Sequence, residues 1–447
     1  MYQEKHRIWF HFISKNNHHV LGVMAYPETF PFAINELTIA LNPKYEFEQD
    51  VGGIYSKMKN TTELKMRVVQ YVHKHRCVSP ELNKLNAFIC SLEDNEFFYL
   101  FPATKNISQI NLVRLQQALS LEGCSDDHKK KYIESFDEFF YDFIMQYQID
   151  GKDPIGSNRK IKIGEGLKVN RVCRFCNNEK GDETTFSKEA HAISESLGNK
   201  KIILNEECDS CNEFFDENIE RDMDTYLKLY SSFFRIKNKK NKVSKIKGEN
   251  FTFEYVNEKI EGCDQQIDFV LAHTPTNQDV NDSNSAPPKI VDLIFYQKIR
   301  NQNIYKSLVK FALSVIDNRD DLTEFHETIK WIRTPSSFKD KLPKIAVLKN
   351  YHLFRKEPSL LVYKSKKSIA NLPYAVGEFH YTFLTYIFII PLFNKDEIDF
   401  SQQDNFDNFV KFFPQFTRMD GWSFEDFSEY QEKQFVINMK LSQREGS

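Results

Sequence analysis

The sequence predicts a multidomain α+β protein with a compact, metal-pinned ββα unit near its middle. Three observations predict it. "CRFC" (173–176) and "CDSC" (208–211) place two C-x-x-C pairs with 31 residues between them. The stretch between and after these pairs reads as strand, loop, strand and amphipathic helix. On both sides, apolar runs of strand length alternate with segments of helical period.

Bulk properties narrow the possibilities. A chain of 447 residues is long enough for two or three domains. Hydrophobic residues at 41% and charged residues at 28% describe an ordinary globular protein, and 40 phenylalanines point to aromatic cores. A net charge of −3 excludes a generally cationic surface, so any nucleic-acid-binding surface has to be a local patch. "MYQEKHRIWFHF" lacks a continuous apolar stretch of signal-peptide length. The most apolar run, "TFLTYIFIIPLF" (382–393), is too short to span a bilayer and is broken by Pro391. A buried strand, no membrane partner and a cytoplasmic location are the expectations.

In chain order, residues 1–165 are expected to form an N-terminal α+β domain. "RIWFHFI", "AFICSL" and "EFFYLF" read as strands. A helix is expected over 130–147, where Tyr132, Phe136, Phe139, Phe140 and Phe143 recur at helical spacing. The polar, Gly- and Lys-containing segment 148–168 reads as a linker or hairpin. The cysteine module spans 166–235. Residues 236–447 are expected to hold a basic linker and a C-terminal α+β domain. There, 250–272 alternates like strand and 273–288 has surface-loop composition. Helices are expected at 303–317 and 321–332, and strands from 343 onward.

Paired cysteines in a chain expected to be cytosolic favour metal over disulfides. Cys173, Cys176, Cys208 and Cys211 can supply four thiolates in tetrahedral array, as structural zinc requires. The set is closed, with no position left for water, so this ion holds a fold and does no chemistry.

Between the pairs, "FSKEAHAIS" has strand character, "ESLGNK" turns, and "KIIL" offers a second strand. From Asp209, the residues Phe215, Ile219, Met223, Tyr226, Leu227 and Tyr230 fall on one helical face. Glu189 and His191, two apart on a strand, face the same side. The helix that would lie opposite begins near Asn212. An acid, an imidazole and an amide oxygen then converge. A carboxylate and an amide oxygen can hold a divalent cation against a scissile phosphate, while a neutral histidine takes a proton from water. A second asparagine can orient the ring. A lone histidine is ordinarily a packing residue; the cysteine frame around this one is what favours chemistry.

"CRFC…EAHAISESLGN…CDSCN" resembles the HNH endonuclease family, in the subtype whose ββα-metal core is framed by two zinc knuckles. The resemblance covers about 45 residues. It implies a metal-dependent nuclease that cuts DNA, RNA not being excluded, with Mg²⁺ or Mn²⁺ as the catalytic ion. His191 matches the general base and Asn212 a metal ligand. Asn199 is taken as the middle asparagine, with Asn205 as its rival. The family's acid or histidine before the base is Ala190 here, so Glu189 is taken as the carboxylate ligand, with Asp216 as the alternative. A proline of the family is replaced by Ser194.

"RIKNKKNKVSKIK" (235–247) carries seven basic residues and no acid. Arg235, Lys237, Lys239, Lys240 and Lys242 are expected to contact phosphates; the plain alternative is a solvated linker. "YKSLVKFALSVI" (305–316) resembles a segment of larger HNH-containing bacterial proteins. The flanks make up most of the chain, so recognition, a regulatory partner or homo-oligomerisation is assigned to them. Restriction or anti-phage defence is the expected setting. The rival reading is a zinc-stabilised nucleic-acid-binding protein that does not cleave.

Overall fold

The computed structural model describes residues 6–15, 18–26, 28–44, 48–50, 53–77, 82–103, 109–152, 154, 160–249, 251–259, 266–273, 290–351, 354–366, 371–393 and 397–442. The chain is α+β and divides into two compact units. The first comprises Met1–Gln148 with Gly156–Arg159, and the second Ile149–Ile155 with Lys160–Ser447.

The first unit is built on a five-stranded sheet in which the order is His18–Ala25, His6–Ser14, Phe97–Ala103, Gly53–Lys59 and Glu48–Asp50. All of its pairings are antiparallel. Alternation along the strands explains why helices gather in two sets. Phe10, Phe12, Phe98 and Leu100 enter one core with Leu64, Val68, Leu85 and Ile89 of the helices Thr62–His75 and Leu82–Ser91. Ile13 and Tyr99, one residue out of phase, join Leu119 instead. The stretch "AFICSL", expected as strand, lies in the helix Leu82–Ser91. Its apolar residues belong to the set Leu82, Leu85, Phe88 and Ile89, whose spacing of three and four outweighs the local strand composition. The helix expected over 130–147 is Asp126–Gln146.

In the second unit, the cysteine module and the C-terminal segment share one hydrophobic core. At its centre runs the helix Asn301–Val315, buried at every residue from Gln302 onward. It packs on the module's helical segments and also on the strands Arg355–Ser365 and Ala375–Thr382. Those strands belong to a six-stranded sheet ordered Ser423–Glu425, Ile345–Lys349, Leu384–Ile389, Ala375–Thr382, Arg355–Ser365 and Tyr147–Lys152. The apolar run at 382–393 supplies the buried strand Leu384–Ile389. The second expected helix is the short turn Arg319–Phe325 followed by His326–Arg333. The surface loop expected at 273–288 lies outside the described residues, apart from its first. No described helix is long and apolar enough to cross a membrane.

A helix covered on all sides cannot solvate polar side chains, so each must find a partner inside. Gln302 Nε2 donates to the carbonyls of Lys339 at 2.8 Å and Ser428 at 2.7 Å. Tyr305 donates to the Ile389 carbonyl at 2.7 Å, tying the helix to the sheet. Lys310 lies between two buried carboxylates, Glu220 at 2.9 Å and Glu207 at 3.2 Å. Burial opposes the charge on Lys310, but the two carboxylates outweigh it and raise its pKa. Burial pushes Glu207 up to about 7, against the pull of Lys310, because two acids compete for one cation.

Replacing Lys310 with Met would strand both acids in a dry interior. The expected loss is about 3–5 kcal/mol of stability at neutral pH, read as a lowered thermal midpoint of the full chain. An unchanged midpoint would show that the acids are neutral and the cation dispensable.

Candidate active site

The four cysteine sulfurs all lie within 4.8 Å of one another. Cys176 and Cys208 are 3.7 Å apart, and the Cys208 amide donates to the Cys173 sulfur at 3.5 Å. A tetrahedron with Zn–S near 2.3 Å has edges of about 3.8 Å, so this spacing fits an ion and is far beyond a disulfide bond. Cys173, Cys208 and Cys211 are buried. In so dry a cluster the thiols cannot all ionise unaided. Hydrogen bonds from its neighbours, Cys176 first, pull Cys173 down, and the bond to Cys173 in turn pushes Cys176 and Cys211 up. A divalent cation removes that conflict. The donor set and its geometry make this a zinc-binding site.

The first knuckle also fastens the long helix. Arg174, between its cysteines, donates to the carbonyls of Leu313 at 3.0 Å, Ser314 at 3.3 Å and Ile316 at 2.9 Å, and pairs with Glu206 at 2.7 Å. A guanidinium there satisfies carbonyls that the helix end leaves free.

Between the knuckles, the expected first strand is reduced to a short bridged stretch. His191 bridges Ile203 in antiparallel fashion, flanked by Ala192 N–H to Ile202 O at 3.1 Å and Leu204 N–H to Ala190 O at 2.9 Å. The strand stops there because Asp209, in the first turn of the following helix, claims the backbone before it. Its carboxylate accepts from Ser187 N–H at 2.9 Å, Lys188 N–H at 2.8 Å and the Thr185 hydroxyl at 2.5 Å. The second strand, Ile202–Leu204, pairs in parallel with Ile161–Ile163 on its other side. The helix Asp209–Phe215 passes through one π turn, Asp216–Glu220, into Arg221–Tyr226. Phe215, Ile219, Met223 and Leu227 are fully buried along it.

The loop linking the two strands is built around Asn199. Its amide nitrogen donates to the carbonyls of Ile193 at 2.8 Å and Ile202 at 2.9 Å, and its oxygen accepts from Lys201 N–H at 3.1 Å and Ile202 N–H at 2.9 Å. Both ends of this side chain are thus spent on backbone, not on the imidazole it was expected to orient. Gly198, at φ +88°, makes the left-handed turn a side chain would resist. The rival Asn205 is buried, and its backbone N–H bonds Ile163 O at 2.9 Å.

The His191 ring is mostly covered, and its Nδ1 has no hydrogen-bond partner among the described residues. Burial holds its pKa below the ordinary 6.5, against the pull of the Glu195 and Glu189 carboxylates. Glu195 was not singled out in the sequence, yet its Oε2 lies 3.7 Å from Nε2. Its spacing of four from His191 is the signal that could have found it. Glu189 is half exposed and paired with Lys160. Asn212 is half buried and makes no side-chain hydrogen bond among the described residues, so its amide oxygen is available. Asp216 pairs with Lys239 at 3.0 Å.

The basic strip turns back on itself. Lys237 bridges Val243, Asn238 N–H bonds Lys242 O at 3.0 Å, and Ile236 and Ile246 anchor its ends in the interior. Arg235, Lys237, Lys239, Lys240 and Lys242 are all exposed. A cavity of about 910 Å³ separates this turn from the module, with Ser196, Asp216, Asp224 and Lys240 in its walls. Burial pushes Asp224 up to about 7, and the Ser196 hydroxyl donates to it.

Residues 171–227 match the family model described as HNH endonuclease. This part of the chain is an HNH module. The matched stretch contains all four cysteines, His191, Asn199 and Asn212, and ends before the basic strip. No curated protein and no solved structure matches the chain. The HNH module is of a nuclease type and implies a nucleic-acid substrate.

A single zinc per chain is expected from elemental analysis. Cys208→Ser should abolish it and unfold the module, because binding energy at such a site is folding energy. A metal-free wild-type protein of unchanged thermal stability would refute the site.

Proposed function

We propose that the protein is a metal-dependent endonuclease that hydrolyses phosphodiester bonds, in DNA, through its HNH module. The observation that carries this reading is the mostly covered His191, kept below its ordinary pKa by burial and framed by a zinc-pinned loop. A neutral imidazole at physiological pH can accept a proton from the attacking water. Asn199 and Gly198 hold the loop that presents it, and Lys310 donates to the carbonyl of His191 itself at 3.4 Å.

A divalent ion such as Mg²⁺ or Mn²⁺, when bound, would neutralise charge developing on the scissile phosphate and the leaving oxygen. The residues present offer hard oxygen donors for it. Asn212 makes no side-chain hydrogen bond among the described residues, and Glu189 pairs with Lys160 in an exposed pair of the kind worth about 0–1 kcal/mol, which a divalent ion can displace. The turn at 235–242 supplies exposed cations for the phosphates on either side. The large flanks suit substrate selection or control of a nuclease that would harm its own cell, and this favours a restriction or anti-phage role. Ala190, in place of the family's acid, favours the second reading, nucleic-acid binding without cleavage.

Plasmid nicking with added Mg²⁺ or Mn²⁺ separates the two readings. His191→Ala should lower the rate by roughly 10²–10⁴-fold and leave zinc content and binding intact. Asn212→Ala should instead shift the metal dependence, so that higher metal partly restores cleavage. Wild-type protein that binds DNA and cleaves neither plasmid nor single-stranded DNA establishes the second reading.

Gln in place of Lys237, Lys240 and Lys242 should weaken binding alike on unrelated sequences. The slope of log affinity against log salt should fall by about 0.7–0.9 for each phosphate no longer neutralised. An unchanged slope would make the turn structural only.

A further inference from the structure

The module's last helical segment, Lys228–Phe233, is followed by Phe234 and then directly by the basic strip. Phe234 is only partly covered. Its ring lies 5.3 Å from Phe354 and 5.2 Å from Phe383, and Phe383 lies 4.8 Å from Tyr351. Three rings of this cluster remain open: Tyr351 is 72% exposed, Phe354 49% and Phe234 36%. Rings of this size normally supply core area, and a cluster left in the open with a charged rim marks a binding surface. Basic residues flank two of these rings along the chain, Lys349 two positions before Tyr351 and Lys356 two after Phe354. Lys349 and Lys356 are exposed and have no ion-pair partner among the described residues, and Arg235 opens the strip beside Phe234.

The cluster also adjoins the loop that carries the candidate catalytic centre. A Cβ on Gly198 would stand 2.6 Å from Ile236 and 3.4 Å from the Lys356 carbonyl oxygen. Lys201 pairs with Glu357 at 2.7 Å, and Lys200 donates to the Asn238 carbonyl at 2.9 Å. The loop after His191 is therefore clasped by the two segments that bear the rings and the cations.

We propose that Phe234, Tyr351 and Phe354 form a stacking platform for unpaired bases of a nucleic-acid strand whose phosphates follow Lys349, Lys356 and the basic turn. This rests on the nuclease reading and narrows its substrate to nucleic acid with a single-stranded stretch beside the cleaved bond. Each base has an apolar face that can lie on an exposed ring, whatever its identity, while the cations hold the backbone. A continuous duplex keeps those faces stacked on each other and cannot offer them. The platform thus discriminates by strandedness and not by sequence.

The test uses the full chain carrying His191→Ala, so that binding is read without cleavage. Fluorescence anisotropy compares a short oligothymidylate with a duplex of equal length. Tyr351→Leu with Phe354→Leu keeps apolar contact and removes the ring faces. It should lower single-strand affinity by about 10–100-fold and leave duplex affinity nearly unchanged. Tyr351→Trp with Phe354→Trp should keep the single-strand affinity, and equal thermal midpoints and zinc content confirm that all variants fold. Unchanged single-strand affinity in the Leu pair overturns the platform, and so does an equal loss on both ligands. So does a loss of self-association alone, which would make the rings a protein interface. If the platform fails while wild-type protein still nicks plasmid with metal, the nuclease reading stands. Absence of both binding and nicking removes the two together.

Discussion

A single ammonium group inside the second unit holds the candidate active centre in place. Lys310 meets Glu207, which precedes a zinc ligand, Glu220, which lies in the module's π turn, and the carbonyl of His191. These groups come from three separate parts of the module, and the lysine comes from a helix much later in the chain. Removing charge from water is costly, and only a complete set of opposite partners offsets the cost. The arrangement is therefore close to all-or-none: the module, the long helix and the histidine adopt these positions together. Such networks favour one well-defined packing over several loose ones.

Zinc binding and the guanidinium of Arg174 extend the same constraint. The knuckles fix the two ends of the ββα unit, and Arg174 carries that rigidity onto the carbonyl end of the helix Asn301–Val315. Between these fixed points the loop 193–202 is short and held by four hydrogen bonds of one asparagine. A side chain at the edge of such a loop, as His191 is, is held with little freedom to reorganise.

Charge around the centre is arranged in layers. Acids, Glu189, Glu195, Asp216 and Asp224, stand nearest the loop and the module helix, and each is answered by a cation or a hydroxyl. Outside them lies the exposed basic turn, with the aromatic cluster beyond its first residue. The inner groups suit a divalent ion and a proton acceptor, and the outer ones suit a polyanion of extended shape. A net charge of −3 concealed this layering, because a sum over the chain cannot show that the cations gather in one local turn.

Much of the module was legible from residue spacing. The cysteine pairs, the amphipathic face Phe215–Ile219–Met223–Leu227 and the turn at "ESLGNK" are local features, governed by ligand geometry, helical period and turn composition. The strand at "AFICSL" was misread because composition and period disagreed and the period decided. What the sequence could not reveal was partnership at long range. Asn199 spends its amide on backbone, Glu195 sits against the imidazole, and Asp209 orders the segment before it; each depends on where the chain returns. The helix expected near 303–317 is there, but its spacing gave no sign that Lys306 and Lys310 are buried inside the unit. By itself the sequence determined the cysteine cluster and the module helix, because these follow from neighbours along the chain. Only the tertiary structure decided which acids face His191 and which rings stay in the open, because burial depends on every element packed around them.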